Sequence, residues 1–157
     1  MSAATRHRSA SASIESASHT FSKESGHRTP DWKIQFLASL NEVRRRGLLE
    51  RTLFSSFFDP VLARLRALCP AARIALLVSR KVPEGALARA ARLGAEALNP
   101  ERSVASPELI GQAHDAGLDV HVFTVDEEAR LRHFLELGVD GIFTNTPDRL
   151  RRLLPRS

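Results

Sequence analysis

The sequence predicts an α/β protein built from parallel βα repeats, about five units long, preceded by a tail of different character. Three observations lead there. Strand-like runs begin near residues 52, 73, 95, 119 and 140, a period of about 20 to 24 residues. Each interval holds one stretch of helical periodicity, opened by proline or a carboxylate and closed by glycine or proline. The runs are nearly continuously apolar, as expected for strands covered on both faces. Successive βα units joined by right-handed crossovers make a parallel sheet. A leucine-rich repeat shares the period, but its Leu/Asn consensus is absent and these helices are too long and regular for it.

Residues 1–30 are rich in serine, with scattered Ala, Arg and His and no periodicity, and read as a disordered tail ahead of a domain spanning 31–157. Thr29-Pro30 resembles an N-cap and first-turn proline. Ile34, Leu37, Leu40 and Val43 then recur every three residues until Gly47, which predicts a helix. Trp32-Lys33-Ile34-Gln35-Phe36 also alternates, so a short strand competes for that stretch.

The repeats follow. Thr52–Phe57 is the first strand, and Asp59-Pro60 opens a helix closed by Pro70. Ile74–Val78 precedes a helix from Pro83 to Leu93, and Ala95–Leu98 is the third strand. Ser106-Pro107 caps the next helix, closed by Gly117. The strand after Asp119 carries Val120, Val122 and Phe123. Asp126 then opens a helix whose buried stripe is Leu131, Phe134 and Leu135, ended by Gly138. Gly141-Ile142-Phe143 is the fifth strand, with Thr146-Pro147 starting the last helix. Five parallel strands also fit a flavodoxin-like doubly wound sheet, the architectural alternative.

Composition bounds the function. The chain has 157 residues, 43% hydrophobic and 26% charged, with a formal charge of +5 and no region that concentrates it. Arg44-Arg45-Arg46 reads as a solvated helix face, lacking the wide basic stripe of a nucleic-acid site, so no nucleic-acid partner is expected. No apolar run is long enough for a membrane span, and no secretory core is present, which leaves a cytoplasmic expectation. Cys69 is the single cysteine and reads as a buried thiol.

A resemblance becomes specific at the C-terminal end. The run HVFTVDEEARLRHFLELGVDGIFTNTPDRL resembles the end of the glycerophosphodiester phosphodiesterase family, with its V-x-W-T-V-N/D strand and G-V-D-G-I-x-T-D-x-P strand. Leu53-Phe54-Ser55-Ser56-Phe57 followed by Asp59-Pro60 is similar to the family's S-S-F-D-P turn, with Phe58 inserted. The match covers about residues 48–154. It implies a TIM barrel that hydrolyses glycerophosphodiesters to an alcohol and glycerol 3-phosphate, normally with a divalent cation, Mg²⁺ or Ca²⁺. A complete barrel needs typically about 250 residues. The expectation is therefore a partial TIM barrel retaining strands four to eight, truncated and weakly active or inactive alone. The alternatives are a non-catalytic partner that completes its sheet with another chain and a small doubly wound phosphate-binding module. A receiver domain is disfavoured, since Ser55-Ser56, Asn99 and Asn145 stand where it needs acids and a lysine.

In such folds chemistry sits at the C-terminal ends of the strands. Thr144, Asn145 and Thr146 occupy the place where barrels often hold phosphate, and are the expected contacts to glycerol phosphate or a glycerophosphodiester. Their other reading is a turn and helix cap. Phe123 stands where the resemblance implies a substrate-side tryptophan. His121 shares its face by alternation, while His114 and His133 fall on helices; none has a partner at ligand spacing, so no metal ligand is identified. The family's H-R-G, E-x-D and E-x-K motifs are not intact. His7-Arg8-Ser9-Ala10-Ser11 echoes H-R-G-A-S, His27-Arg28 repeats the dipeptide, and Asp31-Trp32-Lys33 echoes E-x-K. Open sheet edges would lead the chain to associate with itself.

Overall fold

A computed structural model describes the backbone of residues 31–155 and the side chains of residues 38–155. The chain divides into two compact units, 1–51 and 52–157. In the first, α1 spans Asp31–Arg45, so the alternating stretch near Trp32 is helical. Gly47, at φ +65°, turns the chain where the helical periodicity stops.

The second unit holds five strands, β1 (Leu53–Ser56), β2 (Arg73–Val78), β3 (Ala97–Pro100), β4 (Asp119–Val122) and β5 (Gly141–Ile142). They alternate with α2 (Asp59–Leu68), α3 (Ala86–Leu93), α4 (Pro107–Asp115), α5 (Glu128–Glu136) and α6 (Pro147–Leu153). All pairings are parallel and the order is β1-β2-β3-β4-β5. That sequential order excludes the doubly wound alternative, in which the order reverses at a switch point. With right-handed crossovers it places every helix on one face.

Register defines the two faces. Ile74 and Leu76 of β2, Leu98 of β3 and Val120 and Val122 of β4 share the helix-facing rows and are fully buried. The helices bring Leu62, Leu65, Ala90, Ile110, Ala113, Leu131 and Phe134 to the core, all buried. A leucine or isoleucine so placed contributes roughly 1.5–3 kcal/mol relative to exposure. The opposite face carries Ser55, Leu77, Asn99 and His121, which is more polar and more open. Phe57 and Phe123 show how strongly the sheet is curved. They follow β1 and β4, three strand spacings or about 14 Å apart along a flat sheet. Their ring centroids nonetheless lie 6.0 Å apart, edge to face. The face away from the helices is therefore concave, as in an arc of a barrel.

The turns leading into the last three strands repeat one construction. Gly94-Ala95-Glu96, Gly117-Leu118-Asp119 and Gly138-Val139-Asp140 each begin with a left-handed glycine, at φ +62°, +76° and +74°. Each then places a carboxylate at the sheet's lower edge. The amides of Glu96, Asp119 and Asp140 donate to the carbonyls of Ile74, Glu96 and Val120. The carboxylates of Glu96 and Asp140 accept in return from the amides of Ile74 and Val120, at 2.7 and 2.8 Å, while Asp119 pairs with Arg73 at 3.8 Å.

Two element boundaries and two helix caps differ from the expectation. Pro83 does not open α3; residues 83–85 form a turn ending at Gly85, φ +62°, and the helix begins at Ala86. The third strand starts at Ala97, because Ala95 and Glu96 belong to the repeated turn. Asp126 does not cap α5; Glu127 holds that position, since the Asp126 carboxylate is engaged elsewhere. Thr146 sits at the cap position of α6, but its hydroxyl makes no capping bond. Ser106 does cap α4, accepting from the amide of Leu109 at 3.2 Å.

Candidate functional site

The C-terminal ends of β4 and β5 bring together Phe123, Thr144, Asn145 and Thr146, and Asp126 is the group around which the last three are arranged. Its carboxylate accepts from the Thr144 hydroxyl at 3.0 Å, the Asn145 amide N–H at 2.7 Å and the Asn145 side-chain nitrogen at 2.9 Å. The Thr144 hydroxyl in turn accepts from the Thr146 amide and lies 3.1 Å from the Thr146 hydroxyl. The Asn145 side chain and backbone, then the Thr144 hydroxyl, hold the Asp126 carboxyl below the usual carboxylate range, and Arg102 adds to the effect. Asp126 thus stays ionised at neutral pH. Its negative charge stands beside the turn expected to face phosphate, and much of the turn's donor capacity is spent on it.

Two guanidinium groups border this cluster. Arg102 donates to the Thr124 carbonyl at 2.8 Å, and Arg149 donates to the Asp126 carbonyl at 2.8 Å. They supply positive charge at an edge whose hydroxyls are already committed. Phe123 bridges to Glu101, is half-buried, and meets Phe57 across the concave face.

His121 lies on the concave face, with Nδ1 3.0 Å from Oδ1 of Asn99. Since that oxygen can only accept, His121 Nδ1 donates. Asn99 is 1% exposed, and its Nδ2 is buried with no hydrogen-bond partner among the described residues. His114 is far from this edge, paired with Asp140 at 3.0 Å in the turn before β5. His133 lies on α5 against Phe134. His7 and His27 lie outside the described residues, and Asp31-Trp32-Lys33 falls within α1.

The carboxylates at this edge do not fit a hard dication. Such an ion takes six or more oxygens, several from converging carboxylates. Asp59 is tied to Arg89 and Arg92, Glu101 accepts from the Arg80 amide and the Ser103 hydroxyl, and Asp126 is held by Thr144 and Asn145. Among the described residues no group of three or more histidines, cysteines or acids comes together.

Arg102 and Arg149 were not singled out from the sequence, and Asp126 was read there only as the opening of a helix. The T-V-D sequence that carries Asp126 was visible, but its partner lies 18 residues further on, and nothing local marks that contact. The two arginines carried no motif.

Sequential parallel strands, helices on one face and polar groups gathered at the C-terminal edge define the class of (β/α) barrel proteins. Within it, the chain belongs to the glycerophosphoryl diester phosphodiesterase family, whose model matches residues 5–149. A glycerophosphodiester phosphodiesterase of Bacillus altitudinis is 32% identical over 110 residues, covering 69% of this chain and 44% of the relative. A protein of Silicibacter pomeroyi DSS-3, described as a glycerophosphoryl diester phosphodiesterase, superposes with a TM-score of 0.70 at 31% identity, covering 74% of this chain and 42% of that one. An Oleispira antarctica phosphodiesterase, solved in complex with the product sn-glycerol-3-phosphate, shares the fold with a TM-score of 0.67 at 24% identity, covering 77% and 49%. The chain spans about half the length of the curated relatives it matches. The match begins within the segment expected as a tail.

Proposed function

We propose that the chain serves phosphoric diester hydrolysis in glycerophosphodiester metabolism, holding glycerol phosphate or a glycerophosphodiester at the C-terminal edge, with weak or no turnover alone. The observation that carries this reading is the family match over residues 5–149 on a sheet whose edge gathers Phe123, Thr144, Asn145 and Thr146. Arg102 and Arg149 supply the positive charge that a phosphate requires beside the Asp126 carboxylate. Turnover requires more. Proton movement by a placed acid and base is worth typically 10² to 10⁴-fold, and a cation neutralises the phosphoryl oxygens. The described edge offers hydroxyls, an amide and guanidinium groups, and its carboxylates are engaged by donors.

The test is release of glycerol 3-phosphate from glycerophosphocholine with Mg²⁺ or Ca²⁺, comparing the chain with its His7→Ala and His27→Ala variants. Negligible release by all three is expected. Robust turnover abolished by one histidine substitution would make that H-R pair the active-site turn.

A second reading, a βα partner that completes its sheet with another chain, is favoured by β1 and β5, each paired on one side only among the described residues. Self-association through the same edges belongs to this proposal. So does a cytoplasmic location, which suits the buried, unbridged Cys69; no helix among the described residues is long and apolar enough to cross a membrane.

A further inference from the structure

Next to the phosphate-side cluster lies a hollow that the family reading leaves without a role. The loops after β1 and β2, with Leu77 of β2 and Arg89 of α3, border a half-open hollow of about 340 Å³ that Phe57, Phe58, Val82, Ser79 and Lys81 also line. That is the lower end of small-molecule pocket sizes. Phe57, Phe58 and Val82 are 44%, 59% and 56% exposed, large apolar side chains that face solvent here rather than the core. Arg89 fixes both loops, donating to the carbonyls of Phe57 and Val82 while its guanidinium grips Asp59.

We propose that this hollow is a specificity subsite for the alcohol half of the diester, and that it takes an uncharged, short alkyl alcohol. The inference rests on the function proposed above. Two observations carry it. The first is continuity: Phe57 forms a wall of the hollow and also meets the Phe123 ring at 6.0 Å. Phe123 follows β4, the neighbour of the strand that leads to Thr144, so the Phe123–Phe57 pair joins the phosphate-side turn to the hollow. The second is charge. Lys81 lines the hollow, and the nearby Asp59 is already paired with Arg89 and Arg92. A choline or ethanolamine group would thus meet a lysine and an arginine in the lining and an Asp59 carboxylate already paired, whereas an alkyl chain meets apolar walls. Electrostatic mismatch of this kind suppresses wrong partners, alongside the contacts that select right ones.

The experiment is calorimetric titration of the full chain with three probes: glycerol 3-phosphate, its hexyl ester and glycerophosphocholine. The hexyl ester is expected to bind at least about tenfold tighter than glycerophosphocholine, a modest part of what six buried methylenes provide. A Phe58→Ser/Val82→Ser double variant loses that advantage and keeps its affinity for glycerol 3-phosphate, while Lys81→Glu narrows the gap by admitting choline. Both changes lie at exposed side chains, and circular dichroism confirms that the variants fold. Equal affinity for the two esters, or an advantage that survives the double variant, overturns the subsite. If glycerol 3-phosphate binds under those outcomes, the phosphate reading stands alone; binding of none of the three probes overturns both.

Discussion

A Cβ built on Gly141 would lie 2.6 Å from Cδ2 of His121, closer than real side chains approach. Gly141 and His121 face each other in the β4–β5 register, so the missing side chain of one makes room for the ring of the other. The ring in turn donates to Asn99, a buried amide with few partners. Gly141→Ala is therefore expected to destabilise the fold by about 1–3 kcal/mol through overpacking. Adding His121→Ala should recover part of the loss, a coupling that urea unfolding of both single variants and the double variant measures. Sequence reading placed Phe123 and Thr144 to Thr146 at one edge, because strand ends follow from periodicity. It assigned Asp126 to a helix cap because that role is local. The observed role depends on Thr144 and Asn145, on another strand's end.

At the level of elements, α2 and α3 are joined by an ion-pair cluster. Asp59 accepts from Nε and Nη2 of Arg89 and from Arg92, and Arg89 is largely shielded from solvent. Hydrogen bonding from Arg89, with Arg92 adding to it, holds the Asp59 carboxyl below its usual range. A depressed value stabilises the folded state above the unfolded pKa, near 3.9, and that contribution is lost as pH falls through the folded value. Asp59→Asn should cost about 1–2 kcal/mol at neutral pH. The gap between the two proteins should close as unfolding is followed from pH 5 toward pH 2; a constant gap would contradict the ionic account. The repeated glycine turns make a second expectation. Gly117→Ala forces an alanine to φ +76° and should lower stability by about 1 kcal/mol, whereas Gly111→Ala, within α4 and with open space around its Cβ, should raise it slightly. Strand positions were legible to within about two residues, because apolar runs mark them. The start of α3 was not, since Pro83 is equally at home in the turn that precedes it.

For the whole molecule, the legible part was the number of βα units and their parallel sense. The sequential order was expected as well, but from the resemblance to a barrel family; the period alone also fits the doubly wound order, which differs only in which strands meet. The observed order leaves β1 and β5 at the margins of the sheet. Closed barrels have no such margins. Light scattering across a wide concentration range should show species larger than the monomer, increasing with concentration; a monodisperse monomer throughout would count against it.

The sequential order also sets how far apart in the chain interacting strands are. Leu53 pairs with Arg73, Ala75 with Ala97, Ala97 with Asp119, and His121 with Gly141. Each partner is thus one βα unit away, and no strand waits for the far end of the chain. Closing a loop of that length costs little more than closing a hairpin several-fold shorter, since the entropy grows only logarithmically. For a parallel sheet this is near the shortest separation that a helical crossover allows, and shorter separations favour faster folding. Folding can begin at any neighbouring pair of units and spread in either direction, as in repeat proteins. During synthesis β1 and β2 can pair before β5 has left the ribosome.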